Sequence, residues 1–335
     1  MDMVILGRTG IIVNKNAFGA LPIQRRSTED AVYLLRKAYE NGFRFFDTAR
    51  FYTDSEEKIG IAFRDIREEV FIASKTMTTE VDEFWEQLNT SLKNLGTDYL
   101  DLYQFHNPSF CPKPGDGSGL YEAMVEAKDK GMILHIGLTN HRIEVATEGV
   151  ESGLYETIQF PFSYLATDEE IELVKLCESR DVGFIAMKSL AGGLITDSTT
   201  AYAYLAQFEG VLPIWGIQTE NELDEFISYN AQPPLLNNAR LNLIQLDRKK
   251  FQGEFCRGCG YCLPCPANID IPNAARMSLL IRRAPTSIYL NEDWQRKMKM
   301  IEDCTHCNHC KNHCPYGLDT PRLLQDNWAD YKEFT

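Results

Sequence analysis

Over the first two thirds of the chain, short apolar runs alternate with amphipathic stretches. The runs fall at residues 17–21, 43–48, 70–75, 100–106, 134–139, 157–162, 183–188 and 211–217. Their length and their β-branched and aromatic content predict buried strands. Between them, apolar positions recur at the helical period: Ala31, Leu34, Leu35 and Ala38; Trp85, Leu88, Leu92 and Leu95; Ile171, Val174 and Leu176. Thr167 with Glu170 and Thr219 with Glu222 fit the capping box, and Gly42, Gly96 and Gly131 stand where a helix would stop. Ahead of the first run, residues 1–15 predict a hairpin, with Met3 to Leu6 and Ile11 to Val13 flanking Arg8, Thr9 and Gly10. Eight buried strands, each followed by a helix, predict an α/β fold, a closed parallel (β/α)8 barrel of the TIM type. The alternative, an open doubly wound sheet, lacks any G-x-G-x-x-G after its first strand.

The alternation fills residues 1–230. A Pro233-Pro234 turn and an Asn-rich linker, 231–252, follow, then a cysteine-bearing segment, 253–320, and a tail, 321–335. Leu323, Leu324, Trp328, Tyr331 and Phe334 predict that the tail docks on a neighbouring surface. The cysteines form two sets: Cys256, Cys259, Cys262 and Cys265 before Pro266, and Cys304, Cys307, Cys310 and Cys314 before Pro315. C-x2-C-x2-C puts three thiolates on one tight loop, and the fourth cysteine, beside a proline, ligates the cluster of the other run. On this reading Cys256, Cys259, Cys262 and Cys314 hold one [4Fe-4S] cluster, and Cys304, Cys307, Cys310 and Cys265 a second. The second run has the bacterial ferredoxin spacing. The first has two residues instead of three before its last cysteine, which bears on Cys265. Gly258 and Gly260 let backbone N–H groups approach cluster sulfur. The alternative is two structural zinc sites of four cysteines each. Disulfides would have to join near neighbours. The segment is too small for a large apolar core, so a small, mostly helical ferredoxin-like domain held together by its clusters is expected.

The bulk numbers fit that division. A chain of 335 residues suits a barrel plus a small appendage. No apolar run reaches the length of a membrane span and the start lacks a secretory signal, so no membrane association and a cytoplasmic location are expected. The formal net charge of -14 argues against nucleic acid and anionic lipid, and is compatible with a basic redox partner protein.

In such barrels the active site lies at the C-terminal ends of the strands. Strands two, three and four end in FFDTARFY, FIASK and YQFH, which brings Asp47, Lys75 and His106 to the mouth, with Tyr52 on the loop above. A free tyrosine has a pKa near ~10, and an adjacent ammonium lowers it by stabilising the phenolate. Asp47 would hold Lys75. Tyr52 would then give a proton to a carbonyl oxygen as hydride reaches carbon, while His106 orients that oxygen. Singly, Asp47 and Lys75 could be a structural pair and His106 a satisfied strand-end histidine. Together they point to catalysis.

With RTGIIV, FDTARFYTDSEEKIG, FIASK, YQFH and IGLTNH in place, residues 3–230 resemble the aldo-keto reductase family, whose Asp, Tyr, Lys and His tetrad falls at Asp47, Tyr52, Lys75 and His106. The whole chain is similar to the branch carrying a C-terminal ferredoxin-like domain with two [4Fe-4S] clusters. The resemblance implies that Thr139, Asn140 and Gln159 hold a nicotinamide carboxamide, that Lys188 to Gly193, including Leu190 and Gly192, lies along the pyrophosphate, and that Ile217 also contacts the cofactor. Met187 stands where many members stack a tyrosine under the nicotinamide ring. Members that select NADPH grip the 2′-phosphate with Lys and Arg after strand eight. Residues 211–230 have neither, and contain Glu220, Glu222, Asp224 and Glu225. NADH is therefore expected over NADPH, or else weak nicotinamide binding.

Other candidates are weaker. Cys177 lies on an apolar helical stripe and reads as core, whereas Cys111 sits in the Pro- and Gly-rich loop after strand four, which in the family lines the substrate pocket. His306, His309 and His313 interleave the second cysteine run, and read as solvated loop residues or as donors to the cluster. His135 and His141 receive no role. The expected function is reduction of a small-molecule carbonyl, or oxidation of the alcohol, with NADH or NADPH, coupled to one-electron transfer through the clusters. Alternatives are an electron-transfer or scaffold protein with a non-catalytic barrel, and a reductase with purely structural clusters.

Overall fold

The computed structural model describes residues 3–251, 255–282 and 289–335. Met1 and Asp2 of the expected hairpin and the boundary expected at 252/253 lie outside the described residues. A two-stranded antiparallel hairpin, β1 (Met3–Ile5) and β2 (Ile12–Asn14), precedes β3 (Ala17–Gly19), β4 (Phe45–Asp47), β5 (Phe71–Thr76), β6 (Leu100–His106), β7 (Ile133–Thr139), β8 (Thr157–Pro161), β9 (Gly183–Met187) and β10 (Val211–Gly216). The last eight close into a parallel barrel in the order β10-β3-β4-β5-β6-β7-β8-β9. Its helices are α1 (Thr28–Glu40), α2 (Ser55–Phe63), α3 (Val81–Leu95), α4 (Leu120–Asp129), α5 (Ile143–Glu151), α6 (Asp168–Ser179), α7 (Ser198–Leu205) and α8 (Glu220–Ala231).

Alternation decides which side chains fill the interior. Ala17, Phe45, Ala73, Leu102, Ile185 and Leu212 pack with Val4, Leu6, Ile11 and Val13 of the hairpin, which forms the barrel floor. Met3, Ile5 and Ile12, the alternate positions, face out. Gly7 admits this docking. Its φ is +51°, and a Cβ there would stand 2.2 Å from the Gly183 nitrogen. Both predicted capping boxes form: Thr167 and Glu170 cap α6, and Thr219 and Glu222 cap α8.

Three details differ from the sequence reading. The buried face of α6 is Glu170, Leu173, Val174 and Cys177, and Ile171 and Leu176 are only half-buried, because the face spaced i, i+3, i+4, i+7 is centred elsewhere. On α3, Phe84 takes the interior place and Trp85 lies half-buried under the Lys130 ammonium, 4.4 Å from its ring. Most of the expected linker is α9 (Asn238–Lys250): good helix formers such as Ala239, Arg240, Leu241 and Leu243 outweigh its asparagines, and Ile244 and Asp247 are buried.

The chain divides into two compact units, one running to Ser189 and including Thr199–Asn237, the other comprising Leu190–Ser198 and Asn238–Thr335. The second contains α9, α10 (Ile271–Ala274), α11 (Met277–Ile281), α12 (Glu292–Lys299), α13 (His309–Asn312) and α14 (Thr320–Lys332). The tail docks, as its apolar residues require. α14 packs on α10, α11 and α13, and Leu324 and Tyr331 are buried.

Candidate active site and cysteine compartments

Strand register brings the mouth residues together. Asp47 pairs with Ala73, Lys75 with Gln104, His106 with Thr139, Thr139 with Gln159, and Pro161 with Met187. Lys75 Nζ donates to Asp47 Oδ1 at 2.6 Å and to the Thr48 carbonyl at 2.6 Å. Both side chains are buried. Burial raises the Asp47 carboxyl and lowers the Lys75 ammonium, and each partner's charge opposes that shift. Removing either partner of such a pair would leave an uncompensated charge, at a cost of about 3–5 kcal/mol.

Lys75 Nζ lies 5.4 Å from the centroid of the Tyr52 ring, and the His106 ring meets that phenol edge-on at 5.9 Å. The structure therefore gathers all four predicted tetrad side chains. The loop carrying Tyr52 is pinned by groups to which the sequence reading gave no role. Arg50 pairs with the buried Glu56, which also accepts from Ser74 at 2.7 Å, and Thr48 Oγ1 meets Ser55 Oγ at 2.9 Å. The only signal was two charges inside the DTARFYTDSEE stretch, whose burial no local pattern specifies.

Burial first, then the charges of Lys75 and Lys188, push His106 down to about 3. Its imidazole is neutral at pH 7 and offers one donor and one acceptor. An unfolded histidine takes a proton below about 6.5. The folded one resists until about 3, so His106 contributes stability above 6.5 that is lost progressively as pH falls through that window. Urea midpoints at pH 7.5 and pH 5 are expected to differ less in His106→Gln than in the parent.

Thr139, Asn140 and Gln159 are buried in a row at the mouth. Gln159 donates to Asp47 Oδ2 at 3.4 Å and accepts from Gln104 at 2.8 Å. Asn140 donates to the Pro108 carbonyl and accepts from the nitrogens of His141 and Arg142. Each amide keeps hydrogen-bonding capacity beyond these bonds, and this fits a carboxamide ligand. Met187 Sδ lies 3.9 Å from Thr139 Oγ1, Ile217 is buried, and Lys188 has φ +56°. Leu190 and Gly192 fall in the second unit.

Beside His106 opens a cavity of about 250 Å³, walled by Thr76, Met77, Thr78, Glu83, Asn107 and Phe110. A larger one, about 770 Å³, lies at the N-terminal ends of the strands, with Met3, Lys15, Cys177 and Phe184 in its walls. The first adjoins the tetrad and is the candidate substrate pocket. Cys177 is buried, as its helical position predicts. Cys111 is buried too, and burial pushes its thiol up to about 11. His135 on β7 pairs with Glu156, the residue before β8, a structural role.

In the second unit the thiols ring two spaces. Cys256, Cys259, Cys262 and Cys314 line one, and Cys265, Cys304, Cys307 and Cys310 line another, with Cys262 in the wall of both. The fourth cysteine of each run therefore lines the compartment of the other run. Among the described residues no three His, Cys, Asp or Glu side chains converge where a single ion would sit. Burial, and then the charges of Cys256 and Cys259, push the Cys262 thiol up to about 12, so four thiolates require a positive core between them. Gly258 (φ +64°) points its N–H at Cys256 Sγ, 3.4 Å away. The donor set, the spaces and the amides suit a cuboidal cluster. His306 and His309 line the second space, and His313 stacks on His309.

Comparison with known proteins agrees. Residues 16–211 match the Aldo/keto reductase family, and residues 255–319 match a 4Fe-4S dicluster domain. The NAD/NADP-dependent indole-3-acetaldehyde reductase of Schizosaccharomyces pombe is 35% identical over 157 residues, 44% of this chain and 54% of the relative. The L-galactose dehydrogenase of Arabidopsis thaliana is 27% identical over 59% of this chain and 68% of its own length. The chain thus spans about half the length of the first relative and about two thirds of the second. An aldo-keto reductase from Klebsiella pneumoniae in complex with NADPH superposes with a TM-score of 0.64 at 21% identity, covering 74% of this chain and 95% of that one, a likeness of fold.

Proposed function

Since the chain belongs to the aldo/keto reductase family and ends in a 4Fe-4S dicluster domain, we propose that it reduces a small-molecule carbonyl, or oxidises the matching alcohol, at the barrel mouth, and exchanges single electrons through its clusters with a redox partner protein. The observation that carries the reading is Lys75, buried against Asp47 with its ammonium turned to the Tyr52 ring.

A bound nicotinamide supplies hydride. Tyr52 gives its proton to the carbonyl oxygen, and the Lys75 ammonium steadies the phenolate left behind. Asp47 and the Thr48 carbonyl fix that ammonium in place. Neutral His106 donates one N–H to the same oxygen and orients it. In alcohol oxidation the same groups run in reverse, with Tyr52 as base. Thr139, Asn140 and Gln159 hold the carboxamide, Met187 and Ile217 pack near the ring, and Lys188, Leu190 and Gly192 belong to the stretch along the pyrophosphate.

Bound clusters take up or release one electron each. We assign Cys256, Cys259, Cys262 and Cys314 to one, and Cys265, Cys304, Cys307 and Cys310 to the other, in support of which each set lines one space. Their shared wall at Cys262 favours electron exchange between them. A redox titration followed by EPR tests the relay, because clusters that no accessible potential reduces would leave only a structural role. Among the described residues no helix is long and apolar enough to cross a membrane. A cytoplasmic location, where such clusters are made and thiols stay reduced, is part of the proposal.

NADH is the favoured nucleotide. Lys37 of α1 reaches Glu220 and Asp224, each at 2.6 Å, and Tyr33 also bonds Glu220, so this basic group is already engaged. A 2′-phosphate there would meet carboxylates in excess. Fluorescence titration is expected to give at least about tenfold tighter binding of NADH than NADPH, which requires only about 1.4 kcal/mol. Tighter NADPH binding would end this part of the reading.

A further inference from the structure

We propose that Arg276 is a positioning residue of the first cluster compartment, a half-buried cation that raises the reduction potential of the cluster held by Cys256, Cys259, Cys262 and Cys314 and ties it to the Gly192 carbonyl. The proposal rests on the cluster assignment above and adds a residue that the cysteine pattern does not reveal.

Arg276 sits between α10 and α11, at the start of the latter. Its Nη1 donates to the Gly192 carbonyl at 2.5 Å and its Nη2 to Asn273 Oδ1 at 3.2 Å. The guanidinium lies flat on the cysteine loop. A Cβ added to Gly258 would stand 2.9 to 3.2 Å from three of its atoms, and one added to Gly192 would stand 2.6 Å from Nη1. Gly258 separates Cys256 from Cys259 and gives its own N–H to Cys256 Sγ. The cation is thus seated one residue from the thiols, at a point where the backbone admits it only because no side chain intervenes.

Two observations direct its charge to the cluster. Its Nε is buried and has no hydrogen-bond partner among the described residues, so a donor is left facing the interior. Among those residues no carboxylate forms a salt bridge with it; the Cys256 thiol attracts it first, and the Asp270 carboxylate more weakly. A half-buried guanidinium with no ion-pair partner in contact gains from an anion beside it. Four thiolates around an iron–sulfur core supply that anion, and the added electron of the reduced state deepens the attraction. The cation therefore stabilises the reduced form more than the oxidised one and raises the potential. The same fork holds Gly192 in a stretch of three successive left-handed residues, Ala191, Gly192 and Gly193. These belong to the segment assigned above to the pyrophosphate, so cluster charge and that backbone share one side chain.

The test is an EPR-monitored redox titration of the full-length, iron-loaded protein as parent, Arg276→Lys and Arg276→Gln, with iron content measured for each. R276Q is expected to shift one of the two clusters toward the oxidised form about tenfold, 59 mV for one electron, and to leave the other unchanged. R276K, which keeps the charge, is expected to recover most of that shift while losing the fork that joins the Gly192 carbonyl to Asn273, seen as a raised KM for nucleotide at constant kcat. A fully loaded R276Q with neither potential moved, or with both moved equally, overturns the proposal. A parent protein that binds no iron overturns the cluster assignment instead. If R276Q takes up no iron, pulsed EPR on the reduced parent carrying guanidino-15N arginine decides. Nitrogen coupling to one cluster that persists in Arg257→Lys supports the assignment, and its absence removes it.

Discussion

Replacing Tyr52 by phenylalanine is expected to lower kcat/KM for carbonyl reduction by about 10²- to 10⁴-fold, the usual contribution of a positioned acid. The change removes one oxygen and little else. The Tyr52 ring meets His106 edge-on and stands over Lys75, contacts that phenylalanine retains, and the Lys75 pair with Asp47 is untouched. Nucleotide affinity and iron content should therefore stay at parental levels, so that the loss appears in kcat. Lys75→Met would blur the result, because it also strands Asp47 as a buried unpaired carboxylate. Steady-state kinetics with a panel of aldehydes and ketones measures the effect. A Y52F protein with more than about a tenth of parental kcat would mean that Tyr52 is not the proton donor, and the barrel would have to be read as a scaffold.

Replacing Cys314 by serine is expected to remove about half of the bound iron, and that half should be the cluster of the Cys256 run. Cys314 belongs by sequence to the second set of cysteines but lines the space of the first. The prediction is sharpest in double variants. C259S/C314S should lose no more iron than C259S alone, because the two thiols serve one cluster. C304S/C314S should lose nearly all of it, because they serve two. Uncrossed ligation predicts the reverse pattern. Far-UV circular dichroism should fall with the iron: α10, α11, α13 and α14 surround a small core, and metal binding free energy is folding free energy in such units. Iron and sulfide analysis on each purified variant checks the result.

The candidate site was legible where chemistry and position were both local. Asp47 and His106 end β4 and β6, and Lys75 is the last residue but one of β5, so a strand pattern brings all three to the mouth. Asn140 and Gln159 were legible as types, but not their engagement. That Gln104 holds Gln159, and that Gln159 reaches back to Asp47, depends on neighbours in the ring that are distant in the chain. Arg50 with Glu56, and Arg276 on Gly192, left no trace in periodicity, because a charge in an amphipathic stretch reads as solvated until its neighbours are known. The misread linker has a similar origin: asparagines suggest a loop, but α9 gains more from burying Ile244 than they cost.

By itself the amino-acid order determined the strands, the caps, the two cysteine sets and the four groups at the mouth. These follow from short-range sterics, period and spacing, which act over a few residues. Only closure of the chain decided that Lys75 is shared by Asp47 and the Thr48 carbonyl, that Cys262 stands in the wall of both thiol-lined spaces, and that a guanidinium covers Gly258. The reason is physical: charges, thiols and amides acquire their chemistry from the groups that share their low-dielectric space, and those groups are brought together by packing between distant parts of the chain.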